Sequence, residues 1–579
     1  MVIDNNSLRR RPVNSHRLTG PANGAGRTPA ASDHSTASRV LGVEALCTSL
    51  ERLKIDVLFG THSPSSQVVS ALYSSDRRWT YVQVDHEADV GNVALGYART
   101  SGRSGLCVIE STFRATSLTN ALYSAQRDSI PLVVLAIRSS DRAERSNDDG
   151  VDIVGMTMPI TKHNFVVSDE TDIPSVLFHA FHIASTGRPG SVLIELPGHL
   201  LMRQTTFSWP EEVRLRGYRP TVAPHRKQVL LAAQRIGRAL SPVVWVGGGA
   251  VSANAAAELL EFVELTGIPV VSTERARGLL PDSHHLNYRT PGTAGNAGAN
   301  AALRNSDVIV ALGVWFDRSV GGELAVLAPN AELVQVDIDP EEVGGHRTAE
   351  VSIVGDCKFT LAALCLAVRQ QNATDASAAL TQWHAYLKST ASATPFSDAG
   401  RPADLQLEAL LRGVSRRAEA GAIFVCGEGP HRRLAADLRR FEKPRQWLGV
   451  GAEQGVGTSV ATAIGAQIAA PYAQVWVLES VSSFHSFLHA LVVAVTLGLP
   501  LKILLFEVEC GRNGVEISAL ESTILQSNPL SVARSLGCVV IDGGDNSLLA
   551  TLNSALAVRD RPAVVYLPRS AAENSGSEH

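Results

Sequence analysis

The hydrophobic pattern of the chain is clearest near its carboxyl end, where two apolar runs, at 475–478 and 501–506, flank an amphipathic stretch. In that stretch, residues 484–495, apolar side chains recur at spacings of three and four, which is typical of a helix. The segment therefore predicts a βαβ unit whose parallel strands are buried on both faces. Ligands of such sheets lie past the carboxyl ends of the strands, which here are residues 479–482 and 507–509.

The same alternation of buried strands and helices recurs along most of the chain. Further strands are predicted at 57–60, 105–109, 132–137, 191–196, 243–246, 269–271, 308–312 and 333–338. The fold class is therefore α/β, with three open and mainly parallel sheets. The predicted division is a leader at 1–36, a first domain at 37–205, a central domain at 225–368, a linker at 369–404, a third domain at 405–568 and a tail at 569–579.

The first and third domains repeat the same spacing of residues. Gly96 and Gly465 are 369 positions apart, and so are Glu110 and Glu479 at the ends of two strands. Pro131 and Pro500, each before a strand, have the same offset. We interpret this as two copies of one fold that flank a different central domain.

Composition narrows the classes of function. The chain has 579 residues and a formal net charge of −4, which gives no indication of binding to nucleic acid or to an anionic membrane. Every long apolar stretch is interrupted by charged or turn residues, so no membrane span is predicted. The seven cysteines are scattered without a CxxC pair, which argues against a disulfide framework and a zinc site and favours a cytoplasmic protein.

Several motifs carry a resemblance to a known family. They are His86-Glu87 followed by Gly96-Tyr97-Ala98-Arg99, the stretch from Asp152 to Asn164, Phe316-Asp317-Arg318, Asp337-Ile338-Asp339-Pro340, His431, and Lys443 to Leu448. With these motifs, the chain resembles the large subunit of acetolactate (acetohydroxyacid) synthase, a thiamine-diphosphate enzyme. The likeness extends from about residue 40 to residue 567.

The resemblance implies a pyrimidine-binding first domain and a diphosphate-binding third domain, with the cofactor between two subunits. A homodimer or homotetramer and a small carbonyl substrate are expected. The resemblance also implies that Glu87 contacts the aminopyrimidine ring of the cofactor. A carboxylate there can exchange a proton with a ring nitrogen. If the cleft instead acts on another carbonyl substrate without the cofactor, His86, Asp149, Glu428 and His431 are further acid–base candidates.

The metal anchor of the family is changed in this sequence. Relatives carry Gly-Asp-Gly/Ala-Ser and a later Asn, and the Asp and Asn oxygens bind Mg²⁺. The corresponding positions here are Val481 and Val508, which offer no oxygen ligand. A local register shift that recruits Glu479, Glu507 or Glu509 is the alternative. Without such a shift, we expect no magnesium at the usual site. Binding of thiamine diphosphate is then also doubtful, because the metal anchors its diphosphate.

Other positions near the expected cofactors also differ from the family. The glycine-rich loop of the first domain is replaced by residues 112–117, which include Phe113 and Arg114, and a Met that supports the cofactor becomes Val456. Changes around Trp315 and at 293–296 argue against FAD, although Trp315 could still stack on a ring. The remaining candidates for cofactor binding are Glu428, Gly429, Ser480, Ser482, Ser483, Asp317, Arg318 and Asp337.

Three functions are compatible with these residues. The chain could be a carboligase or lyase acting on 2-keto acids or related carbonyl compounds, with or without thiamine diphosphate. It could be a non-catalytic subunit that pairs with a competent relative and supplies Glu87 to the partner's cofactor. The central domain could also act as a nucleotide or flavin binder.

Overall fold

The computed structural model describes residues 39–61, 67–74, 76–138, 151–292, 295–316, 328–345, 347–370, 376–393, 402–449, 455–507, 528–544 and 547–568. The predicted leader and tail, and the candidate residues Asp149, Asp317, Arg318, Val508 and Glu509, lie outside these ranges. Within them, three mostly parallel sheets are covered by helices, so the predicted fold class is confirmed.

The first domain is a six-stranded parallel sheet with helices on its faces. Its strands are β2 (Val57–Gly60), β3 (Thr80–Gln83), β4 (Gly105–Ile109), β5 (Leu132–Arg138), β6 (His163–Val166) and β7 (Ser191–Pro197). Its helices are α1 (Gly42–Arg52), α2 (Gln67–Leu72), α3 (Glu87–Ser101), α4 (Thr112–Ala115), α5 (Thr119–Arg127), α6 (Ile153–Thr157), α7 (Ile173–Ser185) and α8 (Gly198–Leu201). The short strands β1 (Arg39–Leu41) and β8 (Gln204–Thr206), which the pattern does not predict, pair antiparallel at the two ends of the domain.

The central domain contains a five-stranded parallel sheet. Its strands are β9 (Pro242–Val246), β10 (Val270–Ser272), β11 (Val308–Leu312), β12 (Glu332–Asp337) and β13 (Val351–Val354), in the order β10-β9-β11-β12-β13. Its helices are α9 (Arg226–Arg238), α10 (Gly248–Ser252), α11 (Ala256–Thr266), α12 (Ala297–Arg304) and α13 (Cys357–Gln370).

Helix α14 (Ala376–Ala393) lies inside the range predicted as a linker. It packs on the central domain, where Trp383 and Leu387 are buried and the indole of Trp383 donates to the carbonyl of Pro242 at 3.1 Å. The two residues are one helical turn apart, which is a helical spacing. The linker prediction was wrong here because it relied on the Ala-, Ser- and Thr-rich composition and not on this spacing.

The third domain repeats the six-stranded architecture. Its strands are β14 (Ile423–Cys426), β15 (Trp447–Gly449), β16 (Val475–Ser480), β17 (Lys502–Phe506), β18 (Val539–Asp542) and β19 (Ala563–Leu567). Its helices are α15 (Pro402–Arg417), α16 (Pro430–Leu438), α17 (Thr458–Ala469), α18 (Leu488–Thr496), α19 (Pro529–Ser535) and α20 (Leu548–Ala557). The start of the predicted amphipathic helix is instead a 3-10 segment, Val481–Phe487.

The two outer sheets have the same topology, as the repeated spacing predicts. Their orders are β3-β2-β4-β5-β7-β6 and β15-β14-β16-β17-β19-β18, which place equivalent strands at equivalent positions. Helices α5 and α18 begin at residues 119 and 488, which keeps the 369-residue offset.

Helices α3 and α17, which are equivalent in the repeat, pack directly against each other. A Cβ on Gly96 would collide with the carbonyl of Thr462, and a Cβ on Gly465 would collide with the carbonyl of Val93. The repeated glycines therefore allow the two backbones to touch, and apolar residues of both domains form one continuous core around them.

In the described ranges, none of the helices has the length and hydropathy that a membrane span needs.

Candidate functional site

The carboxyl edge of the third sheet contains a topological switch point between β14 and β16. The chain passes from β14 to β15 on one side and returns to β16 on the other, which opens a crevice between the two strand ends. Ligands of open α/β sheets bind in such crevices. Here the crevice is bordered by Gly427 after β14 and by Glu479 and Ser480 at the end of β16.

Glu479 points into this crevice and is almost completely buried, with 2% of its surface exposed. The hydroxyl of Ser459 donates to its Oε1 at 2.5 Å, and the hydroxyl of Ser483 donates to its Oε2 at 2.6 Å. The backbone N–H of Ser480 donates to Oε2 at 3.3 Å. Burial raises the pKa of Glu479, while the two serine hydroxyls act in the opposite direction.

Val481 follows directly and is also buried, with 3% exposure, at the start of the 3-10 segment. Its neighbour Ser482 shares a hydrogen bond with Ser480, with 2.7 Å between the hydroxyl oxygens. Glu507, at the end of β17, faces the hydroxyl of Tyr566, whose pKa is raised first by burial and then by the charge of Glu507. Both described glutamates of the register-shift alternative thus have partners inside the protein.

His431, near the start of α16, lies beneath this edge and is fully buried. Its ring stacks on Phe506 with 5.8 Å between the ring centroids, and burial lowers its pKa to about 4. The imidazole is therefore neutral near pH 7. Gly429 has φ = 153°, which favours glycine, and a Cβ there would touch the His431 ring.

Glu87 is the first residue of α3, and its side chain is 20% exposed. Nη1 of Arg114 lies 3.4 Å from its Oε1, but Arg114 is 57% exposed, so this pair contributes little to stability. The ring of His86 stacks on the ring of His489 from α18, with centroids 4.9 Å apart. The start of α3 in the first domain thus touches the third domain.

A separate cavity of about 510 Å³ lies where the three domains meet. Four of the candidate residues line it, namely Glu428, Gly429, Trp315 and Asp337. Burial raises the pKa of Asp337 to about 6, and Asp337 accepts the backbone N–H of Asp339 at 2.9 Å. The guanidinium carbon of Arg127 lies 4.3 Å from the centroid of the Trp315 ring.

Ion pairs join the domains around this cavity. Arg432 of the third domain pairs with Glu274 of the central domain at 2.8 Å, and Arg188 of the first domain pairs with Asp339 and Glu342 of the central domain. The cavity is therefore built by all three domains rather than by the central domain alone.

Comparison with known proteins identifies the family. Models described as the N-terminal TPP binding, central and C-terminal TPP binding domains of thiamine pyrophosphate enzymes match residues 41–157, 229–364 and 427–567. The chain belongs to the acetolactate synthase family of thiamine pyrophosphate enzymes.

Individual relatives cover most of the chain. It is 37% identical to an acetolactate synthase of Mycobacterium bovis, over 91% of this chain and 88% of that protein. The acetolactate synthase large subunit of Corynebacterium glutamicum is 36% identical over 91% of this chain and 86% of its own length. A chloroplastic acetolactate synthase of Arabidopsis thaliana is 33% identical over 80% of this chain and 69% of its own length.

Val481 and Glu479, at the end of β16, do not fit the Mg²⁺ of the family. Val481 offers no oxygen, and Glu479 uses its carboxylate oxygens to accept hydrogen bonds from Ser459, Ser480 and Ser483. The other candidate there, Val456, is 67% exposed just before the start of α17.

Two features of the central cavity bear on the binding of a nucleotide or a flavin. Its volume is in the range of small-molecule sites, and Asp337 stands at a strand end, where a carboxylate can accept from ribose hydroxyls. One face of Trp315, however, is already covered by Arg127, which leaves less room for ring stacking there.

Sequence reasoning missed three residues that shape these sites, namely Ser459, Arg114 as the partner of Glu87, and His489. The sequence contains one signal for the contact between Ser459 and Glu479. Alternation along β16 puts Glu479 on the face of Val475 and Val477, which packs into the core shared with α17. The other two depend on packing between distant segments, which spacing does not reveal.

Proposed function

We propose that this chain takes part in carbon–carbon bond formation or cleavage on 2-keto acids or related carbonyl compounds. The observation that carries the proposal is an asymmetry between the two halves of the family's site. Glu87 stands partly exposed at the start of α3, whereas position 481 holds a buried valine beside a buried glutamate.

This asymmetry favours a mixed assembly over a self-sufficient enzyme. The chain would supply Glu87, and a related subunit with an intact metal motif would hold thiamine pyrophosphate, which provides the nucleophilic carbon. Glu87 would then exchange a proton with the aminopyrimidine ring of that cofactor. The name "large subunit" of the Corynebacterium relative supports assembly with other chains.

Subunit complementation tests the proposal. A competent acetolactate synthase large subunit, with its own pyrimidine-side glutamate changed to glutamine, is refolded or co-expressed with this chain. Consumption of pyruvate is measured with thiamine diphosphate and Mg²⁺. We expect activity in the mixture that neither protein has alone.

Two variants of this chain make the test specific. Glu87→Gln should abolish the restored activity, because the amide cannot take up the proton. Glu51→Gln, which leaves Arg77 paired with Glu44 at 2.9 Å, should retain it. Restored activity that is insensitive to Glu87→Gln, or no activity in a confirmed mixed dimer, would overturn the proposal. Pyruvate consumption by this chain alone without cofactor would favour a cofactor-independent enzyme.

The cavity at the three-domain junction supports a second function, the binding of a nucleotide. The observation that supports nucleotide binding is the position of Asp337 at a strand end in a cavity of about 510 Å³. Titration of ADP into the protein tests this, and Asp337→Asn should weaken binding. Asp307→Asn should not, because Asp307 precedes β11 at the opposite edge of the sheet, where it accepts the backbone N–H of Ser241. Dimeric or tetrameric assembly and a cytoplasmic location remain predictions from the sequence.

A further inference from the structure

The crevice between β14 and β16 is filled by a side chain of the protein itself. A Cβ on Gly427 would collide with the carboxylate of Glu479, so the side chain of Glu479 takes up the space between the two strand ends. The carboxylate is buried and shielded from solvent.

The groups that surround this carboxylate are those that bind anions. Ser459 is the second residue of α17, a twelve-residue helix, and helix N-termini favour negative charge. Ser480 ends β16 and Ser483 lies in the 3-10 segment that follows, and they donate a backbone N–H and a hydroxyl to the same carboxylate. Two chain segments thus direct three donors at one anion.

We propose that the carboxylate of Glu479 occupies the anion position of the third domain, so that this chain excludes the diphosphate of thiamine pyrophosphate from its own crevice. A diphosphate at this position would compete with Glu479 for the same donors. Without a metal ligand at position 481, it would also face an uncompensated negative charge at short range. Glu479 is then a specificity-determining residue.

This inference deepens the mixed-assembly proposal but can be tested without it, because the assay measures binding by this chain alone. The probe is inorganic pyrophosphate without added metal, and the readout is the thermal unfolding midpoint. Glu479→Ala removes the charge and opens the space. Glu419→Ala, an exposed carboxylate before β14 at the opposite edge of the sheet, is the matched control. Sodium chloride at equal ionic strength is run in parallel.

For Glu479→Ala, we expect pyrophosphate to raise the midpoint by about 3 °C at tenfold excess over its Kd. The wild-type protein and Glu419→Ala should show no shift beyond that of sodium chloride. If Glu479→Ala does not fold, Glu479→Ser, which keeps a hydroxyl toward Ser459, replaces it with the same expectation.

Two results would overturn the proposal. One is stabilisation of the wild-type protein by pyrophosphate to the same extent as the variant, because the crevice would then already be open. The other is a folded variant at position 479 that gains nothing from pyrophosphate. Neither result depends on the pyruvate assay, so failure here and failure of the proposed function are separate outcomes.

Discussion

The buried imidazole of His431 makes the stability of the third domain depend on pH. Its pKa falls from 6.5 to about 4 on folding because burial disfavours the charged ring. Below pH 6.5 the unfolded chain therefore binds a proton that the folded chain does not bind until about pH 4. The free energy of unfolding therefore falls by roughly 3 kcal/mol as the pH decreases from 6.5 to 4, and above pH 6.5 this group causes no loss.

His431→Phe should remove this part of the acid sensitivity, since phenylalanine can still stack on Phe506. The measurement is the free energy of unfolding in urea between pH 7 and pH 4, compared with wild type. The exposed His225→Phe serves as the control and should leave the slope unchanged. Parallel profiles for wild type and His431→Phe would contradict the assignment.

For single residues, the sequence predicts that position 481 has lost its metal ligand. It does not predict that the carboxylate of Glu479 takes the place of a bound diphosphate. Val481 is visible by alignment with the family motif, because a missing oxygen needs no structure to be recognised. The partners of Glu479 come from residues 459 and 483, on two segments that meet only in the folded protein. Alternation along β16 shows which face Glu479 occupies, but a single sequence does not show which donors meet it there.

At the scale of elements, the crossing of α3 and α17 depends on two glycines. Gly96→Ala should destabilise the protein by about 3 kcal/mol, because the added methyl group meets the Thr462 carbonyl and the helices must separate. Gly421→Ala is the matched control, as its Cβ would meet nothing within 4 Å. The comparison is made by urea unfolding, and equal stabilities of the two variants would show that the crossing is not close-packed.

The sequence predicts the long elements well and the short ones poorly. Strands such as β5 and β17 are continuous apolar runs, and the 369-residue repeat shows that the outer sheets are equivalent. Strands β1 and β8 have three residues each, too few for a recognisable period. Helix α14 has a narrow apolar stripe within an Ala- and Ser-rich stretch, where composition resembles that of a linker.

At the scale of the whole molecule, a buried ion cluster joins the central and third domains. Arg277 is fully buried and pairs with Asp282 at 2.5 Å and with Asp437 of α16 at 3.3 Å. Its guanidinium also donates to the carbonyl of Arg439 at 3.1 Å. Because such clusters combine residues from different domains, motif spacing in the sequence did not predict this contact.

Arg277→Met should lower the free energy of unfolding by about 3–5 kcal/mol, since it leaves two buried carboxylates without their cation. Arg235→Met, which breaks an exposed pair with Glu332, should cost less than about 1 kcal/mol. Urea unfolding of both variants checks this, and a similar small loss for both would mean that the cluster does not hold the domains together.

We propose that the chain keeps the pyrimidine-side glutamate, Glu87, but cannot anchor the diphosphate of the cofactor. Calorimetric titration of thiamine diphosphate into the purified chain, with and without Mg²⁺, tests that claim directly, with a competent acetolactate synthase titrated in parallel. We predict no binding heat at millimolar cofactor under either condition. Binding that requires Mg²⁺ would contradict this proposal and would show that carboxylates near the end of β17 replace the missing ligands.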